Sequence, residues 1–206
     1  MNISNHELII ATKNVGKIKE LEELLANLPV RLRSLNDFPN VIEPEETGAT
    51  FAENARLKAE FYASQTELWA LADDSGLEVE ALHGAPGVYS ARYAGENATD
   101  AEKIEKLLKE TNETNDKNSR ARFVCAMAVA DETGAIKFVA EGVCDGRIAR
   151  AASGDGGFGY DPVFIPDGFT ATFGELSGDI KRQISHRARA TFEIIQYLRR
   201  FYAALS

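Results

Sequence analysis

Phe123-Val124-Cys125-Ala126-Met127-Ala128-Val129-Ala130, then Asp131-Glu132-Thr133-Gly134, then the run from Ile136 to Val143, is the stretch that decides the fold. The first run is apolar at every position, as in a strand buried on both faces, and the second pairs with it across a short acidic turn. A central β-hairpin follows. Outward toward the N-terminus the pattern changes to helix-linked strands. His6 to Thr12 reads as a strand, and Lys13-Asn14-Val15-Gly16 leads into a helix with Ile18, Leu21, Leu24, Leu25 and Leu28 on one side. Val30 to Leu35 reads as a second strand. Asn36 to Gly48, with two prolines and several acids, reads as an irregular loop. Thr50 and Glu53 form a capping box that opens a helix running to about Thr66, and the apolar strand Leu68 to Ala72 ends at Asp73-Asp74-Ser75-Gly76.

Between that strand and the hairpin, Leu82 to Gly95 reads as a long surface segment. Thr99 and Glu102 repeat the capping box before a short helix bearing Ile104, Leu107 and Leu108. Thr111 to Ser119 is polar throughout and is the candidate boundary between lobes. Beyond the hairpin, the glycine-rich Ser153 to Tyr160 leads to a short strand, Val163 to Ile165. A last helix carries Ala188, Phe192, Ile195, Leu198 and Tyr202 at helical spacing. Helix-linked strands around a hairpin predict an α/β protein with a mixed sheet.

Composition narrows the function classes. The 206 residues carry 23 Lys+Arg against 32 Asp+Glu, a net charge of -9, which argues against a nucleic-acid clamp because phosphate backbones need a basic face. No apolar run approaches the roughly 20 residues that cross a bilayer, and Met1 to Lys17 lacks a secretory pattern, so the expected location is cytoplasmic. Cys125 and Cys144 sit in apolar strand sequence and read as buried thiols.

Four segments carry groups suited to chemistry. Thr12-Lys13-Asn14-Val15-Gly16-Lys17 places two ammonium groups where a strand turns into a helix, whose N-terminal N–H groups attract anions. On spacing alone it is equally a turn with solvated lysines. Asp73-Asp74-Ser75-Gly76 offers adjacent carboxylates suited to Mg²⁺, or an ordinary acidic turn, and Glu43, Glu45 and Glu46 form a second acidic cluster. Gly154 to Gly159 matches G-x-G-x-x-G literally, but that fingerprint must follow a strand and open a helix, whereas here Tyr160-Asp161-Pro162 leads into Val163-Phe164-Ile165-Pro166, so a dinucleotide fingerprint is rejected. Its glycines let a flat ligand near the backbone, with Phe158 or Tyr160 to stack on it; the alternative is a tight loop with core aromatics. Lys181 to Arg187 gathers cations and donors near the start of the last helix, and Lys58 by itself reads as a surface lysine.

Together and in this order, these segments resemble the inosine triphosphatase family, also called Ham1-like: noncanonical purine nucleoside triphosphate pyrophosphatases. The resemblance runs through Ala11-Thr12-Lys13-Asn14 with Gly16-Lys17, Glu45-Glu46-Thr47-Gly48, Thr50-Phe51 with Glu53-Asn54-Ala55, and Ala72 to Gly76. It continues through Gly84-Ala85-Pro86-Gly87, Tyr89 to Tyr93, Gly156 to Pro162 and Ser185-His186-Arg187. It implies a single domain over residues 1–206, an elongated two-lobed mixed sheet flanked by helices, with the active site in the cleft between lobes. It also implies Mg²⁺, a homodimer, and cleavage of ITP, dITP and XTP to the monophosphate and pyrophosphate. Thr12 to Lys17 would then line the triphosphate, Lys58 and Lys181 would neutralise it, and Ser75 would contact substrate. Glu45 and Asp74 would hold the metal, with Asp74 also the general base and Asp73 a supporting acid. Phe158 would stack on the purine, and Gly159, Tyr160, Asp161, His186 and Arg187 would shape the base pocket. Two other readings stay open at this stage: a pyrophosphatase for other modified nucleotides, and a module that binds triphosphates without turning them over.

Overall fold

A computed structural model describes residues 6–114, 116 and 119–204. Among these, six strands form one sheet in the order β2-β1-β3-β4-β5-β6. They are β1 (Glu7–Ile10), β2 (Arg31–Ser34), β3 (Trp69–Val79), β4 (Arg120–Ala130), β5 (Ile136–Ile148) and β6 (Phe164–Pro166). β1 pairs in parallel with both β2 and β3, and β5 pairs antiparallel with β6, so the sheet is mixed as expected. The helices are α1 (Val15–Leu25), α2 (Phe51–Thr66), α3 (Asp100–Glu113), α4 (Gly178–Ile184) and α5 (His186–Ala204). None of the described helices is long and apolar enough to cross a membrane.

The chain divides into two compact units. The first takes the residues up to Asp74, Cys125–Gly142 and those from Arg187 onward; the second takes Ser75–Val124 and Val143–His186. Both divisions of β4 and β5 fall inside strands. The polar stretch 111–119 is therefore not the boundary, and α3 continues into it as far as Glu113; residues 115, 117 and 118 lie outside the described set.

Each unit has its own apolar core. In the first, Cys125, Met127 and Val129 of β4 join Leu8, Ile10, Leu21, Leu25, Leu71, Ile194 and Leu198. The alternate face of the same strand carries Ala126, Ala128 and Ala130, all fully buried, so β4 is covered on both sides. α2 closes in at the hairpin end, where a Cβ on Gly134 would lie 2.4 Å from Ser64 Oγ. The second core is more aromatic, with Phe123, Phe164 and Phe173 packed among Leu77, Val79, Leu107 and Val163.

Both capping boxes are present: Thr50 and Glu53 exchange side-chain and backbone bonds at the start of α2, and Thr99 and Glu102 do so at α3. Two local expectations are corrected. Phe192 is exposed, whereas Ala188, Leu198 and Tyr202 are buried as expected and Ile195 packs on the core; Ala190, Thr191 and Ile194 complete the covered face of α5. The basic run at 181–187 spans two helices, with Ser185 between α4 and α5. Thr50→Ala removes the acceptor for the Glu53 N–H and should cost about 1 kcal/mol of stability, read by urea unfolding.

Candidate active site

β3 does not stop at the paired aspartates. It runs from Trp69 through Asp73, Asp74, Ser75 and Gly76 to Val79, so the expected acidic turn is the middle of a strand. The consequence is geometric, because successive side chains on a strand point to opposite faces. Asp73 and Asp74 are neighbours in sequence and have separate surroundings.

Asp73 is 1% exposed. Its Oδ2 accepts from Arg187 Nη2 at 2.9 Å and Nε at 3.3 Å, lies 3.2 Å from Lys17 Nζ, and has the Cys125 Sγ at 3.8 Å. Burial by itself would raise this carboxyl; the charges of Lys17, Arg187 and Lys58 outweigh it and hold Asp73 well below the usual carboxylate range. Arg187 is buried too, and its Nη1 donates to Glu20 at 2.6 Å. Burial opposes its charge, but Asp73 and Glu20 keep the guanidinium firmly ionised. The same enclosure pushes the Cys125 thiol up, which keeps it protonated and inert.

Asp74 faces α2. Its Oδ1 is 2.9 Å from Lys58 Nζ and its Oδ2 accepts from Asn54 Nδ2 at 3.1 Å. Asn54 and Lys58 are four residues apart and so share one face of α2. The Asn54 amide is oriented by the Gly48 N–H, which donates to its Oδ1 at 2.8 Å and leaves the NH₂ for Asp74. Lys58 Nζ also reaches Glu46 at 3.1 Å, so one ammonium bridges two carboxylates. Here burial prevails and Asp74 is raised above its ordinary value, with Lys58 and Lys17 opposing. Lys58, although its burial disfavours charge, is raised by Asp74, Asp73 and Glu46.

The start of α1 supplies backbone donors near this cluster's lysines. Asn14 is the N-cap and accepts from the Lys17 N–H at 3.0 Å, and Thr12 Oγ1 accepts from the Asn14 N–H at 3.2 Å. Gly16 is half-buried and Val15 is exposed at 79%, an uncovered apolar side chain at a helix start. Lys13 pairs with Glu43 at 2.8 Å with both side chains more than half exposed, a contact worth little in water.

In the second unit the glycine-rich segment forms a compact turn. Gly154, Gly157 and Gly159 all have positive φ, and a Cβ on Gly157 would fall 1.9 Å from Asp161 Oδ2. Asp161 accepts from the Phe158 N–H at 2.8 Å and from Lys181 Nζ, whose ammonium also lies 4.7 Å from the Phe158 ring centre. Tyr160 is buried and donates to the Ser90 carbonyl at 2.9 Å. His186 stacks on Phe123 at 4.7 Å, and Ser75 is half-buried.

The structure thus gathers Lys17, Lys58, Asp73, Asp74 and Arg187 in the first unit, and Phe158, Gly159, Tyr160, Asp161 and Lys181 in the second. Arg187 is committed there to Asp73 and Glu20. Glu45 is exposed, and it is Glu46 that Lys58 ties to Asp74. Glu20 and Asn54 carry no site role in the sequence reading, and Glu46 enters it only as a member of the acidic cluster. The signal for Glu20 and Asn54 was helical spacing, three residues from Lys17 and four from Lys58. Among the described residues no three His, Cys, Asp or Glu side chains come together as a ready metal cage. Asp74 and Glu46, two hard oxygen donors already sharing a cation in Lys58, fit part of a shell for a divalent ion that keeps water or phosphate oxygens as its other ligands.

The fold and site together define a mixed α/β protein with a buried network of carboxylates and cations centred on β3. The family is settled by comparison: residues 8–197 match the model of the Ham1 family, and the chain belongs to it. It is 52% identical over 184 residues to the dITP/XTP pyrophosphatase of Geobacillus kaustophilus, covering 89% of this chain and 90% of that one. It is 47% identical over 196 residues to the dITP/XTP pyrophosphatase of Desulforamulus reducens, covering 95% and 97%. Among solved structures, a HAM1 protein from Coxiella burnetii superposes with a TM-score of 0.86 at 43% identity, over 95% of this chain and 99% of that one. A nucleoside-triphosphatase / dITP/XTP pyrophosphatase from Mycobacterium abscessus does so with a TM-score of 0.74 at 41% identity, over 91% and 98%.

Arg187→Met leaves Asp73 buried with Lys17 as its remaining close cation, and should cost about 3–5 kcal/mol in urea unfolding. Adding Asp73→Asn removes the stranded charge, and the double variant should recover part of that loss.

Proposed function

We propose that this chain hydrolyses deaminated, noncanonical purine nucleoside triphosphates, dITP, ITP and XTP, to the monophosphate and pyrophosphate. The observation that carries the reading is Asp74, a carboxylate raised by burial and held by Lys58 and Asn54, in a family whose curated members bear the name dITP/XTP pyrophosphatase. In this reading the whole chain works as one nucleotide-processing domain. It is a cytoplasmic homodimer that binds neither nucleic acid nor membrane.

The roles follow from the chemistry of each group. The segment from Thr12 to Lys17 lines the triphosphate, the N–H groups of Lys13, Val15 and Gly16 and the ammonium groups of Lys13 and Lys17 bind phosphate oxygens, and Lys58 and Lys181 add positive charge along the chain of phosphates. Ser75 donates a hydroxyl to substrate. Asp74 and Glu45, with Glu46 next in sequence, would hold Mg²⁺, and the ion would supply charge neutralisation at the phosphates. Asp74 orients a water and accepts its proton as the water oxygen bonds to the α-phosphorus; the bond from that phosphorus to the bridging oxygen breaks and pyrophosphate leaves. Asp73, paired with Lys17 and Arg187, keeps those cations in place.

For the base, Phe158 stacks on the purine, and Gly159, Tyr160, Asp161 and His186 shape its pocket, while Arg187 stays committed to Asp73 and Glu20. Donors facing a 6-oxo group discriminate against adenine, whose amino group leaves them unpaired at about 1–3 kcal/mol for each buried donor.

Incubation with dITP and Mg²⁺ should release dIMP and pyrophosphate; release of orthophosphate would refute the bond assignment. Asp74→Asn should lower kcat by about 10²- to 10⁴-fold while nucleotide binding stays measurable, the range expected for losing a general base. Full activity in that variant would remove Asp74 from the role, and binding without turnover in the unaltered protein would favour a sensor.

A further inference from the structure

Phe158 is held in an unusual way. The peptide before its Cα is fixed by the Phe158 N–H donating to Asp161 Oδ2 at 2.8 Å. The peptide after its Cα is fixed by the Gly159 N–H donating to Asp100 Oδ2 at 2.7 Å. Because peptide units are planar, holding each of them by a hydrogen bond restricts φ and ψ of the residue between, and with them the direction of its Cα–Cβ bond. Gly159 itself has φ +61°, with open space where a Cβ would lie.

Asp161 is a local partner, three residues along. Asp100 is not: it is the first residue of α3, 59 residues away in sequence and in the same compact unit. Its own placement is firm. Thr99 and Glu102 cap the helix, and Lys103 Nζ, 2.6 Å from Asp100 Oδ1, engages the other carboxylate oxygen and leaves Oδ2 for the loop. Partial burial would raise this carboxyl, but the bonds from Lys103 and Gly159 hold it below its ordinary value, so it remains an anionic acceptor.

We propose that Asp100 is a positioning residue for nucleobase recognition, a carboxylate on α3 that pins the peptide after Phe158 and so aims the ring. The inference rests on the reading that Phe158 stacks on the base. It makes the aromatic platform preorganised: binding need not order the loop, and affinity for the base-bearing end of the ligand is higher for it.

Two substitutions separate the tether from the helix. Asp100→Ala and Asp100→Asn both remove the charge at the start of α3 and the ion pair with Lys103, but only Asp100→Asn keeps a carbonyl acceptor for the Gly159 N–H. Hydrogen exchange at the Gly159 amide, read without ligand, should be accelerated in Asp100→Ala and close to unaltered in Asp100→Asn. In Asp100→Ala, KM for dITP and Kd for dIMP should rise by about tenfold, the loss expected for one hydrogen bond. In the same variant kcat and inhibition by inorganic pyrophosphate, which has no base, should stay near those of the unaltered protein, and Asp100→Asn should restore dIMP binding. Unchanged exchange and dIMP affinity in Asp100→Ala, or equal losses for dIMP and pyrophosphate, would overturn the inference while dITP hydrolysis by the unaltered protein still supported the proposed reaction. A protein that neither hydrolyses dITP nor binds dIMP would overturn both.

Discussion

A carboxylate enclosed at Asp73 has to be neutralised, and the two cations that touch it, Lys17 and Arg187, come from α1 and α5 while Asp73 itself stands on β3. An isolated ion in such a place would be expelled or protonated. Here three elements of the first unit are tied at one charged point, and Glu20 closes the network from α1 by accepting the second arm of Arg187. The positions of Lys17 and of the α1 N-terminus that it follows are therefore consequences of an electrostatic requirement, beyond what the surrounding leucines and isoleucines specify by packing.

The strand pleat then separates two carboxylates that sequence places side by side. Asp73 looks toward a pair of cations and is locked as an anion. Asp74 looks toward α2, where burial weighs more than its partners and its proton affinity is raised. That division suits chemistry in which one acid must never change state and the other must take up a proton. It also explains why Lys58 bridges Asp74 and Glu46: the ammonium occupies ground that a hard cation or a phosphate would contest, and its flexible stem lets it move between acid and anion partners.

Local patterns carried much of this architecture. The two Thr-x-x-Glu boxes, the strand-to-helix start at residues 12–17 and the hairpin around residues 131–134 each follow from chemistry within a few residues, and each is present. The misreadings lie where distant groups decide. Asp-Asp-Ser-Gly has the composition of a turn, and only Lys17, Arg187, Asn54 and Lys58, from three different helices, make it tolerable inside a strand. Phe192 shares a helical spacing with core residues yet faces outward, because packing rather than periodicity selects the face. Glu46 and Glu45 are indistinguishable in sequence until Lys58 chooses one. The roles at the site came from the family resemblance, which the comparisons support at the level of the family. The pairing of Arg187 with Asp73, 114 residues apart, had no local signal at all.

The central claim is that neighbouring carboxyls on β3 are driven in opposite directions by their two faces. Carboxyl-carbon NMR titration of the free protein, with Asp73 and Asp74 assigned, tests it directly. Asp73 should stay ionised through the ordinary carboxylate range while Asp74 takes up its proton at a higher pH than an unperturbed aspartate; titration of both together, or in the reverse order, would contradict the account.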